Sequence, residues 1–325
     1  MSRAGWIRLV ATTAFALCLL VVVLGGYVRS SAAGLGCPDW PGCYGHLTPP
    51  AAAETGKAWR EMIHRYAAGS LGALIVVIMT LAIQWRKNKL LSVPFAATLL
   101  LLVVVQAALG RLTVTWKLQP LIVTSHLLLG LCTLALLWWL VLTLGTRQEG
   151  AWHGGGALHS HAIRRAQRWA LIGLGVVILQ IALGGWTSSN YAAIACPDLP
   201  TCQNQWWPKA DFENGFLMWR DAVVNFEGGV LSLPARIAIQ LTHRLGAVLT
   251  ALALVWAAFC ALRVRGSAEV RQTTWALLGV LVLQLLIGSA MVLKGFPLWL
   301  ATAHNGGAAL LLLAAVALNR VLRPA

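Results

Sequence analysis

The sequence predicts an all-α integral membrane protein with eight transmembrane helices. They form two tandem four-helix bundles related by pseudo-two-fold symmetry along the membrane normal. Three observations predict it. The 325-residue chain is 58% hydrophobic and only 11% charged, too apolar for a soluble domain. Runs of about 20 apolar residues, enough to cross ~30 Å of hydrocarbon, lie at 7–27, 62–85, 92–114, 120–144, 168–187, 236–262, 272–293 and 297–319. The chain also repeats itself: GGYVRSSAAGLGCPDWPGC at 25–43 matches GGWTSSNYAAIACPDLPTC at 184–202.

The repeat continues along both halves. An offset of 159 aligns Gly25 with Gly184, Cys37 with Cys196 and Cys43 with Cys202. His64 aligns with His243 at offset 179, and Gln106, Gly110 and His126 align with Gln284, Gly288 and His304 at offset 178. The second outer loop therefore holds about 20 extra residues. Four spans per unit is an even number, so both copies insert the same way up, the parallel-repeat case. The expected division is an N-terminal half at 1–144, a linker at 145–167 and a C-terminal half at 168–325.

The first run is longer than a removable signal peptide and lacks a small-residue cleavage site, so it is expected to stay as a span. No Arg- and Ser-rich transit segment precedes it, which favours a bacterial plasma membrane. Its Leu24-Gly25-Gly26 stretch permits close approach to a neighbouring helix. The net charge of +15 does not indicate nucleic acid, because its distribution follows the spans. With the N-terminus inside, the inner face holds fourteen Lys and Arg against Glu149 and Glu269, and the outer side eleven bases against eight acids. That positive-inside bias puts both termini in the cytoplasm and makes the lipid bilayer the partner.

Cys37 and Cys43 flank Pro-Asp-Trp-Pro-Gly in the first outer loop, and Cys196 and Cys202 flank Pro-Asp-Leu-Pro-Thr in the matching one. The oxidising outer face favours two intra-loop disulfides, each holding a compact lid over helix ends. A redox-active pair and a four-thiol zinc site are the alternatives, although the spacing is not the usual zinc one. Cys18, Cys132 and Cys260 lie within spans and read as small packing residues.

The second span opens with Glu61-Met62-Ile63-His64-Arg65 and the sixth with Gln240-Leu241-Thr242-His243-Arg244. An ionisable group in a span costs ~2.5–3.5 kcal/mol or more near the helix centre. His64, His126, His243 and His304 each follow the outer end of an even-numbered span by a few residues, roughly 6–10 Å below the interface. A lone membrane histidine is read as an interhelical hydrogen bond. Four in one layer, in two matched pairs, are read as ligands, and paired imidazoles suit haem iron. The expected pairs are His64 with His126 and His243 with His304. Arg65 and Arg244 are candidates to hold haem propionates, with snorkelling to lipid phosphate as the alternative; Arg111 and Arg236 are weaker candidates.

Glu61 precedes His64 by three residues, so both share a helix face. A carboxyl there can move protons or stabilise developing charge; the bland alternative is an acid in a helix's first turn. Gln240 at the matching position cannot titrate. The first half therefore reads as reactive and the second as an electron carrier. The Gly-rich linker, with His153, His159 and His161, reads as solvated chain, with a metal site at the three histidines as the alternative. The long second outer loop, with Trp206-Trp207-Pro208 and 211–230, is expected either on the membrane surface or over the haem.

Taken together, the duplicated eight spans, E-x-x-H-R at 61–65, T-H-R at 242–244, His126, His304 and the paired cysteines resemble the haem A synthase family over essentially the whole chain. The cysteine-bearing loops resemble its bacterial branch. The resemblance implies oxidation of a methyl group of haem O to a formyl group, giving haem A for terminal oxidases. Two successive hydroxylations are implied, the second giving a gem-diol that loses water. It further implies haem b as cofactor at His243 and His304, haem O at His64 and His126, and Glu61 as the functional carboxylate. Implied partners are haem O synthase, terminal oxidase subunit I and a quinol as electron donor. The residues alone reach two haem sites, one with an added acid. They leave open a di-haem cytochrome b relaying electrons, and a transporter.

Overall fold

A computed structural model describes residues 2–51, 55–88, 91–145, 157–220, 224–264 and 267–323. Eight long apolar helices cross it, and no strand is present among the described residues. They are α1 (Arg3–Ser30), α2 (Thr55–Gln84), α3 (Val93–Thr115), α4 (Pro120–Gly145) and α5 (Ala157–Ser189), then α7 (Leu233–Leu262), α8 (Ala268–Leu293) and α9 (Leu298–Val321). A short α6 (Phe212–Gly215) lies in the second outer loop.

Local chemistry sets the helix ends. The Ser2 hydroxyl accepts from the Gly5 N–H at 3.2 Å and the Ser267 hydroxyl from Val270 N–H at 3.1 Å, satisfying donors that a helix start leaves open. Proline stands in the first turn of α3 and of α7, where its missing N–H costs nothing. The α3–α4 and α8–α9 turns close alike. Lys117 and Leu118 in the first, Gly295 and Phe296 in the second, take positive φ. Their N–H groups return to carbonyls of the last helical turn, with Leu118 to Thr113 and Phe296 to Met291 both at 2.8 Å.

Several helices outrun their apolar segments. α2 begins at Thr55, before the apolar run at 62, and α5 begins at Ala157, inside the segment expected as linker. Composition marks where hydrocarbon ends, whereas a helix satisfies its own backbone and continues into the polar zone. Of the linker histidines, His153 lies outside the described residues and His161 is exposed.

Each half closes into a ring. α1 packs on α2, α2 on α3, α3 on α4 and α4 on α1; α5, α7, α8 and α9 repeat the circuit. Between halves, α1 meets α9, α4 meets α5, and α4 meets α9, contacts that interchange when each helix is replaced by its counterpart. One continuous core includes Ile75, Leu134, Leu137, Leu254, Leu277 and Leu318 from both halves. Outside it, Leu101, Val104, Leu179, Leu249, Leu252 and Leu286 are all more than half exposed. Apolar area on that scale faces lipid rather than water.

The long second outer loop settles on protein. Trp186 Nε1 donates to the Gly215 carbonyl at 2.9 Å, and a Cβ at Gly215 would lie 2.8 Å from the Ala235 carbonyl, so α6 is seated on α7. Farther on, buried Phe226 donates its N–H to the Lys117 carbonyl at 3.1 Å, and Trp219 meets Trp116 edge-on at 5.3 Å. The second half's extra residues thus cover the α3–α4 turn of the first. Trp206 and Trp207 stay largely exposed.

Candidate functional site

The four histidines sit on matching helices, His126 and His304 six residues past the first residue of α4 and α9, and His64 and His243 nine and ten past that of α2 and α7. Each ring rests on a glycine of a neighbouring helix. A Cβ built on Gly25 would lie 3.1 Å from His64 Cε1, on Gly184 3.2 Å from His243 Cε1, on Gly288 2.9 Å from His304 Cε1, and on Gly110 3.5 Å from His126 Cε1. The Gly25-Gly26 step does give close approach, and what Gly25 receives is a histidine ring. His126 lies within electrostatic reach of His64, and His243 within reach of His304.

Three glutamines brace three of these histidines. Gln106, Gln180 and Gln284 donate Nε2 to the backbone carbonyls of His126, His243 and His304, each at 3.0 Å. Gln180 Nε2 also lies 3.1 Å from His243 Nδ1, and Gln284 Nε2 lies 3.4 Å from His304 Nε2. The glutamines sit four residues before Gly110, Gly184 and Gly288, so one helix face carries both brace and cradle. In the sequence Gln106 and Gln284 stand only as aligned positions of the repeat. The thrice-repeated Q-x-x-x-G was the signal that could have revealed a role.

Glu61 and both arginines reach outward to the cysteine loops. Cys37 with Cys43 and Cys196 with Cys202 are joined as disulfides. Glu61 Oε2 accepts from the Cys37 N–H at 2.9 Å, and Oε1 pairs with Arg65. Arg65 also donates to the carbonyls of Asp39, at 2.8 Å, and of Gly42. In the second half Arg244 donates to the carbonyls of Thr201 at 2.7 Å and Cys196 at 2.9 Å. Each arginine therefore fastens a disulfide loop to the helix that carries a histidine. Gln240 is buried like Glu61, but its Oε1 finds no partner among the described residues. Of the weaker candidates, Arg111 is exposed and Arg236 keeps a buried Nε without a partner among the described residues.

Inside each loop an aspartate gathers backbone donors. Asp39 accepts from the N–H groups of Tyr44 at 2.6 Å and Gly45 at 2.7 Å, and the Gly45 N–H chiefly holds its carboxyl below the ordinary 3.8. Asp198 accepts from Gln203 at 2.8 Å and Asn204 at 3.1 Å. Its carboxyl is likewise held low, first by the Thr201 hydroxyl. The unpaired cysteines take no part: Cys18 and Cys260 are buried, while Cys132 is exposed on α4 rather than packed inside.

The residues present fit a haem in each half. Nδ1 of His64, His126 and His304 is buried and lacks a partner among the described residues, a cost of ~1–3 kcal/mol each if it stayed so. Two pairs of buried imidazoles in apolar surroundings match the donor set of haem iron.

Comparison with known proteins agrees with that chemistry. The model of the COX15-CtaA family, described as cytochrome oxidase assembly protein, matches residues 8–316. A Heme A synthase of Shewanella oneidensis is 42% identical over 316 residues, covering 93% of this chain and 92% of that protein. Proteins of the same name from Bacillus cereus and Bacillus anthracis are 24% identical over 295 residues, covering 88% of this chain and 84% of theirs. A match that runs from α1 into α9 takes in all eight spans, and this chain belongs to the COX15-CtaA family of cytochrome oxidase assembly proteins.

Proposed function

We propose that this chain is a haem A synthase: its first half oxidises a methyl group of haem O to a formyl group, and its second half holds a haem b. The observation that carries the reading is one scaffold used twice, with a carboxylate added in one copy. Both halves present a histidine pair on glycine faces, and only the first adds a buried carboxylate, Glu61, one helical turn from its histidine. His64 and His126 would hold the substrate's iron, and His243 and His304 that of haem b, which supplies one-electron transfer when bound.

The chain's own groups divide the remaining work. Glu61 takes up or delivers protons beside the substrate, and its pairing with Arg65 fixes the carboxylate there. Arg65 and Arg244, near the outer ends of α2 and α7, offer positive charge to the propionates while keeping the disulfide loops in place. The disulfide loops and residues 211–220 and 224–231 cover the outer end, which limits water access. Haem O carries an isoprenoid tail and enters sideways from lipid.

The pseudo-two-fold relation follows from the repeat and is supported by helix contacts that interchange between halves. The positive-inside count supports a bacterial plasma membrane with both termini in the cytoplasm. Partners are then haem O synthase as supplier, terminal oxidase subunit I as recipient and a quinol as donor.

The test is haem extraction from a host that lacks its own haem A synthase and carries haem O synthase. Chromatography with mass spectrometry is expected to find haem A or its hydroxylated precursor. Folded protein, supplied with reductant, that yields only haem B and unchanged haem O would favour the electron-relay reading.

A further inference from the structure

Three of the four histidines have a glutamine brace, and the fourth does not. Position 21 of α1 corresponds to Gln180 of α5 by the repeat offset, and it is Val21. Val21 has no amide to donate to the His64 carbonyl; its backbone carbonyl accepts from the His64 ring, as that of Gln106 does from the His126 ring. The residue facing the brace has changed with it. A Cβ at Gly246 would stand 2.3 Å from Gln180 Oε1, at Gly307 2.1 Å from Gln284 Oε1, and at Gly130 2.8 Å from Gln106 Nε2. Each brace thus needs a glycine opposite. The counterpart of Gly246 in the first half is Ala67, which carries the Cβ that the glycine opposite each brace lacks.

We propose that Gln180 and Gln284 are positioning residues that lock both haem ligands of the second site, and that the Val21–Ala67 pair leaves His64 the releasable ligand of the first. This deepens the function proposed above and rests on it. A brace that donates to the ligand's own backbone carbonyl fixes the helical turn carrying it, and with it the position from which the ring reaches the iron. The second site has two such braces, so its haem is resident. The first has one, from Gln106 to His126, so its haem can leave as product without unmaking the bundle.

The buried amide oxygens of all three glutamines have no partner among the described residues. Packing alone would be met by leucine or methionine at lower desolvation cost. An amide retained at that cost, three times and always against a glycine, points to the histidine it touches.

The experiment compares haem loss from the intact protein carrying haem B and haem O. Transfer to excess apomyoglobin is followed by absorbance, chromatography tells the two haems apart, and electron paramagnetic resonance reads the low-spin signals. Gln180→Met and Gln284→Met keep volume and helix propensity. Each is expected to release haem B about 10-fold faster or more and to shift its low-spin signal. The reciprocal Val21→Gln/Ala67→Gly variant installs the missing brace and is expected to slow haem O release about 10-fold, a gain that mere misfolding does not produce. Unchanged release and unchanged signals in folded methionine variants would overturn the locking role. Unchanged haem O release in the reciprocal variant would overturn the releasable role of His64. Wild-type protein that binds no haem at either site would overturn the haem reading itself, and this inference with it, before any variant is compared.

Discussion

Glu61 is held at both carboxylate oxygens, by the Cys37 N–H on one side and Arg65 on the other. It is therefore a strut between loop and helix as well as an acid one helical turn before His64. The two roles separate in Glu61→Gln, which keeps an acceptor for the Cys37 N–H and removes the titrating group. The second half carries a buried Gln240 at the matching position, four residues before Arg244, so the fold accommodates a neutral amide there. We expect the variant to keep its disulfides and its haem while product formation falls by a factor of about 100 or more. Unchanged product would remove Glu61 from the chemistry and leave it the strut alone. Its neighbourhood to His64 was legible from three-residue spacing. Its hold on Cys37 was not, because nothing in a linear motif marks a contact across 24 residues.

Among the elements, the disulfide loops are the clearest case of local sequence specifying local structure. Asp39 and Asp198 follow their first cysteine by two residues, and each folds the rest of the loop around its carboxylate. Because the Asp39 carboxyl is held below its ordinary 3.8, its contribution is present above that value and is lost as pH falls through the lower folded one. Reduction of Cys37–Cys43 by a water-soluble phosphine, referenced to an unfolded peptide, is therefore expected to be flat between about pH 7 and pH 5. It should accelerate only below the ordinary aspartate range, and Asp39→Asn should show the fast rate at neutral pH. Acceleration already near neutrality would place the loop's anchor elsewhere.

The helices were legible as spans because twenty apolar residues admit few other fates. Their true ends were not, since α2 and α5 carry on through polar sequence that hydropathy cannot distinguish from loop. The glutamine braces were visible as repeat markers only. Their meaning lies in which helix faces which, and that appears only once α3 is set against α4, α5 against α7 and α8 against α9.

At the scale of the whole molecule, duplication explains why two histidine pairs stand in adjoining halves. Each half contributes one Gly-Gly step with two duties. Gly25 receives His64 of its own half, while a Cβ at Gly26 would strike Asn305 Nδ2 at 1.8 Å, next in chain to His304 of the other. Gly184 receives His243, and a Cβ at Gly185 would lie 3.0 Å from Leu127, next to His126. Glycine at both steps lets the bundles approach closely enough to bring the residues beside His304 and His126 against the other half. The offsets of 159, 178 and 179 revealed the duplication. They could not reveal the interface, which pairs α1 with α9 and α4 with α5.

The central claim is that these two alike halves do different work, and histidine-pair removal tests it most directly. His64→Ala/His126→Ala and His243→Ala/His304→Ala would be purified from the haem O–producing host, and the bound haems and product of each identified by mass spectrometry. The account predicts that the first variant keeps haem B, loses haem O and makes no oxidised product, whereas the second loses haem B. Haem A or its hydroxylated precursor from the variant lacking His64 and His126 would contradict it.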